Sequence, residues 1–132
     1  MKNQVTSIEQ SKRLIELGVP AEKASMIYQS YYTQGVPKLY AQYYQRNGYP
    51  PKEKIREDVI PAFTVADLIA ILPTTCGGFQ IGLDRVRKDN THIFYEDYAD
   101  SSHIVFFIEN SLVESCVKAI EWVISNNYKL NI

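Results

Sequence analysis

The sequence has 132 residues, of which 45% are hydrophobic and 22% are charged, and this composition is typical of a folded globular protein. Its formal net charge of -1 excludes a strong overall field that would attract nucleic acid or an anionic membrane. No apolar run approaches the ~20 residues that a membrane-spanning helix requires. We therefore expect one domain over residues 1–132, without a membrane segment.

The N-terminal residues and the cysteine content predict a cytoplasmic protein. The opening MKNQVTSIEQSKR passes directly into polar, helix-like sequence and lacks the apolar core of a secretory signal. Cys76 and Cys116 are too few and too far apart for a disulfide framework, and a reducing cytosol would keep both as thiols.

The N-terminal part of the chain is predicted to be helical. Thr6 and Ser7 each lie three residues before an acidic or amide side chain, and these overlapping capping boxes predict a helix that ends at Gly18. Pro20 suits the first turn of a second helix. The apolar face of that helix consists of Ala24, Ile27, Tyr28 and Tyr31.

A break at Gly35 and Pro37 precedes a second group of aromatic residues at helical spacing. This spacing predicts a short third helix that contains Leu39, Tyr40, Tyr43 and Tyr44. Residues 46–61 contain three prolines and no steady period, which is typical of a surface loop. Thr64 then predicts the start of a central helix that Pro73 ends.

The hydrophobic period changes from helical spacing to alternation at Phe79. A strand is expected there, with a bulge at Val86 because this residue is out of phase. A turn at residues 88–91 and a return strand at 92–98 would complete a hairpin. A third strand is expected at 103–109.

Ser111 begins the clearest helix of the sequence, since Glu114 completes its capping box and an apolar face continues nearly to Asn126. Cys116 lies on this face and is predicted to pack in the core. The predicted fold class is therefore α+β: N-terminal helices, a three-stranded antiparallel sheet (hairpin plus third strand), and a covering C-terminal helix.

Three blocks of the sequence carry a resemblance: TSIEQSKRLIELGVPAEKASMIY at 6–28, VIPAFTVADLIAILP at 59–73, and SLVESCVKAIEWVISNNYKL at 111–130. Together they resemble a family of small, uncharacterised proteins that phages and mobile elements of gut bacteria encode. The helix of the first block and the proline-aromatic lead into the central helix are its most specific parts. The resemblance implies a cytosolic accessory protein of phage or prophage origin, and it implies neither an activity nor a catalytic residue.

Seven of the ten tyrosines lie within residues 28–49. Tyrosine and arginine are enriched at the centres of protein interfaces, which favours a protein partner or self-association. The residues predicted to contact such a partner are Tyr32, Tyr40, Tyr44 and Arg46. Packing of the helical face explains Tyr28 and Tyr31 without any ligand. We therefore predict a non-enzymatic protein-interaction module and expect no cofactor.

The same segment allows an alternative function. Aromatic rings stack on nucleic-acid bases, and nearby cations hold phosphates. A weak single-stranded nucleic-acid-binding protein would use these tyrosines together with Lys52, Lys54 and Arg56. Binding that weakens steeply with salt would distinguish this function from an aromatic protein interface.

Cys76 is the only candidate nucleophile with a suggestive setting, because it lies in the glycine-rich stretch TTCGG. Activation would require His92 or His103 beside it. The sequence matches no known nucleophile signature, and a small residue in a glycine turn is the simpler interpretation.

A short acidic stretch contains ligand types that divalent cations accept: Glu96, Asp97, Asp100 and His103. Alternation within a strand sends Glu96 and Asp97 to opposite faces, and the spacing fits no defined metal site. A solvated acidic turn is the simpler interpretation, so we predict no metal site there.

Overall fold

The computed structural model describes residues 4–29, 37–41, 59–87, 90–100 and 103–132, with the backbone alone for 84–87 and 90–92. Three α-helices in these ranges are α1 (Ile8–Glu16), α2 (Val65–Ile71) and α3 (Leu112–Ser125). The strands are β1 (Met26–Gln29), β2 (Lys38–Ala41), β3 (Ile60–Ala62), β4 (Thr75–Cys76), β5 (Phe79–Arg87), β6 (Asn90–Asp97) and β7 (Ile104–Phe107).

The protein is mixed α+β and contains two antiparallel sheets, with strand orders β2-β1-β3 and β4-β5-β6-β7. The predicted hairpin and third strand form β5, β6 and β7, and the register shifts between Arg85 and Arg87, where a bulge was expected. The prediction of three strands is incomplete, because β4 pairs with Phe79 and Gln80 as a fourth. Two residues are too few to show a period in the sequence.

The predicted helix starts at Ser7, Thr64 and Ser111 are confirmed. Each side-chain oxygen accepts a hydrogen bond from the backbone N–H three residues later. Thr6 does not cap α1: it is buried, and its Oγ1 accepts from the Phe63 N–H at 3.0 Å and contacts the Ser11 hydroxyl at 2.7 Å. Tertiary contacts therefore select one of the two overlapping capping boxes.

The predicted second helix is wrong. A single 3₁₀ turn over Ala21–Lys23 follows Pro20, and the chain then extends into β1. Both neighbours of β1 are strands, β2 and β3, and their hydrogen bonds outweigh a weak local preference for helix. Tyr28 lies on this strand and donates its hydroxyl to the Thr6 carbonyl at 2.7 Å.

The predicted third helix is also wrong for the part of it that the structure describes. Leu39 and Tyr40 belong to β2 and pair with Tyr28 and Ile27 of β1. Tyr43 and Tyr44 lie outside the described residues, as do positions 46–58 of the predicted loop. The end of that loop is β3, which begins at Ile60.

The main core lies between the helices and one face of the four-stranded sheet. The indole of Trp122 on α3 contacts three rings of this sheet, those of Phe79, Tyr95 and Phe107, at centroid distances of 5.6, 5.2 and 5.9 Å. Tyr95 is fully buried, and its hydroxyl donates to the Pro73 carbonyl at 2.8 Å. Aromatic contacts therefore attach α3 to the sheet.

Candidate interaction surface

The four-stranded sheet has two unlike faces. Phe107, whose ring contacts α3, is 8% exposed, whereas its neighbour Phe106 is 47% exposed on the opposite face. Successive side chains of a strand alternate between faces, so Phe94, which pairs with Phe106, shares the outer face with it. The outer face therefore carries aromatic side chains on two adjacent strands.

The outer aromatic side chains are closely arranged. The ring centroids of Phe94 and Phe106 are 5.7 Å apart. The Phe94 ring lies over Gly82 on β5, where any added Cβ would overlap it. Ile104 pairs with Glu96 beside this aromatic pair, and Ile108, just after β7, is 58% exposed. We call the surface formed by Phe94, Glu96, Ile104, Phe106 and Ile108 the β6–β7 surface.

This surface belongs to a strongly acidic part of the chain. Residues 89–117 contain six carboxylates and neither lysine nor arginine, so their formal charge is -6 with the histidines neutral. Asp97 and Asp100 precede β7, and Glu109 follows it. Carboxylates therefore lie at both ends of an apolar strand. A count of charges along the sequence would have found this segment, but the sheet alone shows which apolar residues accompany it.

Of the residues predicted to contact a partner, the structure describes only Tyr40. It lies on β2 at one edge of the three-stranded sheet, half-buried and opposite Ile27. Tyr32, Tyr44 and Arg46 lie outside the described residues. The role of this predicted group as an interface therefore stays a prediction.

The structure separates Cys76 from both histidines that were considered as its activators. Cys76 pairs with Phe79, which pairs with Asp97. The Asp97 N–H donates to the His103 carbonyl, so three strand spacings, about 14 Å, lie between the backbones at Cys76 and His103. His92 lies on β6, on the far side of β5.

The environment of Cys76 is also that of a packed thiol. Its side chain is buried, and burial raises the pKa of the thiol above its ordinary value. A raised pKa lowers the thiolate fraction at neutral pH and with it the nucleophilicity. Neither observation favours the Cys-His hypothesis.

The acidic turn before β7 is held by bonds within itself. The carboxylate of Asp97 accepts the Ala99 N–H at 2.8 Å, and that of Asp100 lies 3.0 Å from Nδ1 of His103. Glu96 lies on the outer face, the opposite face from its neighbour, as expected. Among the described residues there is no group of three or more potential metal ligands.

A shallow groove of about 280 Å³ separates α1 from α3. Ion pairs form part of its lining, since Glu121 lies 3.6 Å from Arg13 and 3.7 Å from Lys118. These side chains are partly solvated and partner one another, so the groove has the character of an ordinary charged surface between two helices.

Comparison with protein-family models, curated proteins and solved structures found no match to this chain. Within the described ranges, no helix has both the length and the apolar character needed to cross a membrane. The geometry and charge of the β6–β7 surface are therefore the features from which a function can be inferred.

Proposed function

We propose that this protein is a non-enzymatic interaction module whose β6–β7 surface binds a basic, partly apolar segment of another protein. The observation that carries the proposal is the exposure of Phe106 and Ile108 within a segment of formal charge -6. Exposed aromatic and aliphatic side chains supply apolar contact area, and aromatic residues are enriched at the centres of interfaces.

The charge of the surface decides which partner fits. Carboxylates around an apolar strand attract lysine and arginine and repel phosphates. The described contacts thus favour a cationic protein segment over a nucleic acid at this surface. Nucleic-acid binding through Tyr32, Tyr40 and Tyr44 with Lys52, Lys54 and Arg56 stays a separate prediction, because Tyr40 alone of these residues is described.

The remaining sequence-based expectations belong to the same proposal. A cytoplasmic accessory role, an origin in a phage or mobile element, and the lack of catalysis fit a small binding protein. The tyrosine-rich segment would then form a second contact region through Tyr32, Tyr40, Tyr44 and Arg46.

The test is a calorimetric titration with the synthetic peptide acetyl-KVKVKVK-amide, which combines lysines with apolar side chains. We expect binding that weakens about tenfold between ~50 and ~300 mM salt, because ions screen the carboxylates. Ile108→Lys should weaken binding about tenfold, which is ~1.4 kcal/mol, since it removes apolar contact and adds a like charge.

The matched control is Ile132→Lys, because Ile132 is 57% exposed and Ile108 is 58% exposed. This control should leave the affinity within about twofold. Equal losses in both variants, or equal binding of acetyl-EVEVEVE-amide, would contradict the proposal. Salt-sensitive binding of a mixed-sequence single-stranded oligonucleotide, with no peptide binding, would support the nucleic-acid alternative.

A further inference from the structure

The geometry points to a specific mode of binding: we propose that the basic partner segment adds to the four-stranded sheet as an extended strand along the outer edge of β7. This inference rests on the proposed function and specifies the conformation of its partner. Strand addition supplies main-chain hydrogen bonds for affinity and leaves alternate side chains to determine specificity.

The position of β7 provides the edge. It is the last strand in the order β4-β5-β6-β7, and no strand in the described part of the chain pairs with it on the side away from β6. The Asp97 N–H donates to the His103 carbonyl across the β6–β7 ladder. Hydrogen-bonded and non-hydrogen-bonded pairs alternate in antiparallel ladders, so Ile104 directs its N–H and C=O away from β6.

The two edges of this sheet are composed differently. Beyond Ile81, whose N–H donates to the Thr74 carbonyl at 2.9 Å, β5 has no described neighbour on the β4 side, and this part of the strand includes Arg85 and Arg87. Charged residues of this kind keep exposed edges from pairing with other chains. Residues 104–108, IVFFI, contain no charge, proline or glycine. The β7 edge is only four residues long, but it lacks the charged residues and prolines that commonly prevent a further strand from adding to an edge.

Charge then selects the added strand. A second copy of β7 would bring Asp97, Asp100 and Glu109 of one chain close to the same carboxylates of the other, and like charges repel across paired strands. A strand that alternates apolar and basic residues avoids this repulsion. Its apolar side chains would extend the outer face beside Phe106, and its lysines or arginines would lie near the carboxylates.

Amide hydrogen exchange measured by NMR on the whole protein, with and without acetyl-KVKVKVK-amide, tests this mode. Saturating peptide should slow exchange of the Ile104 amide by about tenfold or more, because that N–H becomes bonded to the added strand. The Val105 amide is the matched internal control. It faces β6, so its exchange should change much less.

The outcomes separate the two proposals. If the peptide binds but Ile104 exchange is unchanged, strand addition is wrong and docking on the outer face remains. If the peptide does not bind at all, the proposed function fails with it. If Ile104 is already protected without peptide, and more so at higher protein concentration, a second copy occupies the edge and the inference is overturned.

Discussion

A single residue, Asp67, links the chain segment before β1 to the start of α2. Its carboxylate accepts the Thr64 N–H at 2.9 Å and the Ser25 N–H at 2.8 Å, and it also accepts the Ser25 hydroxyl. One side chain therefore caps α2 and ties the residue before β1 to it. Hydrogen bonds to a charged acceptor contribute more to stability than neutral ones.

Replacing Asp67 with alanine should lower the free energy of unfolding by about 2–3 kcal/mol, because the Ser25 bonds and the cap are lost together. Gln10→Ala is the matched control, since Gln10 occupies the same third position of the α1 capping box and its hydrogen bonds to described residues outside the helix are those with Ser7. That variant should cost about 1 kcal/mol in urea unfolding followed by circular dichroism. Equal losses would show that the Ser25 bonds add nothing.

Among the secondary-structure elements, β7 carries two neighbouring phenylalanines that face opposite sides of the sheet. Phe107 is nearly buried and its ring contacts Trp122, whereas Phe106 is about half exposed beside Phe94. The first attaches the strand to α3, and the second belongs to the β6–β7 surface. We therefore expect one face of this strand to contribute to stability and the opposite face to contribute to the proposed binding.

Alanine at the two positions should separate these roles. We expect Phe107→Ala to cost about 3–5 kcal/mol, because it leaves a cavity in the aromatic cluster around Trp122. Phe106→Ala should cost about 1 kcal/mol and weaken peptide binding instead. Urea unfolding followed by Trp122 fluorescence measures the first effect. Similar stability losses at both positions would contradict the assignment of the two faces.

At the scale of the whole molecule, charge is distributed unevenly along the chain. Nine of the fourteen lysine and arginine residues lie within residues 1–56, whereas residues 89–117 have none. The net charge of -1 is therefore the sum over a basic region and an acidic region whose charges nearly cancel. Because these charges cancel in the total, the overall composition predicts no charged partner, whereas we propose a basic partner for the acidic segment around the β6–β7 surface.

Burial of titratable groups in the common core makes the stability of the whole molecule depend on pH. Burial raises the pKa of the Cys116 thiol to about 12, and it also raises the pKa of Tyr95 above its ordinary value of 10.0. Below about pH 9 the folded and unfolded Cys116 thiols are both protonated. Above that pH the unfolded thiol loses its proton first, so the unfolded state gains stability.

We therefore expect the free energy of unfolding to fall from about pH 9 towards pH 12, with Cys116 contributing a slope of up to ~1.4 kcal/mol per pH unit. Cys116→Ala should make this decline shallower by the slope that one proton contributes. Val117→Ala, at a neighbouring buried position without a titratable group, should lower stability without changing the slope. The check is a series of urea unfolding curves between about pH 8 and pH 11. Parallel pH profiles for the wild type and Cys116→Ala would contradict the assignment.

Elements whose signals are local could be predicted from the sequence alone. Side-chain hydroxyls at Ser7, Thr64 and Ser111 bond to amides three residues away, so these helix starts could be recognised without any tertiary information. Alternation from Phe79 likewise predicted β5 and the hairpin, because the strand is long enough to show a period.

The identity of β1 and β2, the presence of β4 and the location of the candidate surface depend on tertiary contacts and could not be predicted from local patterns. The spacing of Ala24, Ile27 and Tyr28 favours a helix locally, but pairing with β2 and β3 and the contact of Ser25 with Asp67 stabilise an extended chain. The exposure of Phe106 and the burial of Phe107 depend on which face α3 covers. These features follow from contacts between residues far apart in sequence, and a local sequence pattern does not indicate which distant residues will be in contact.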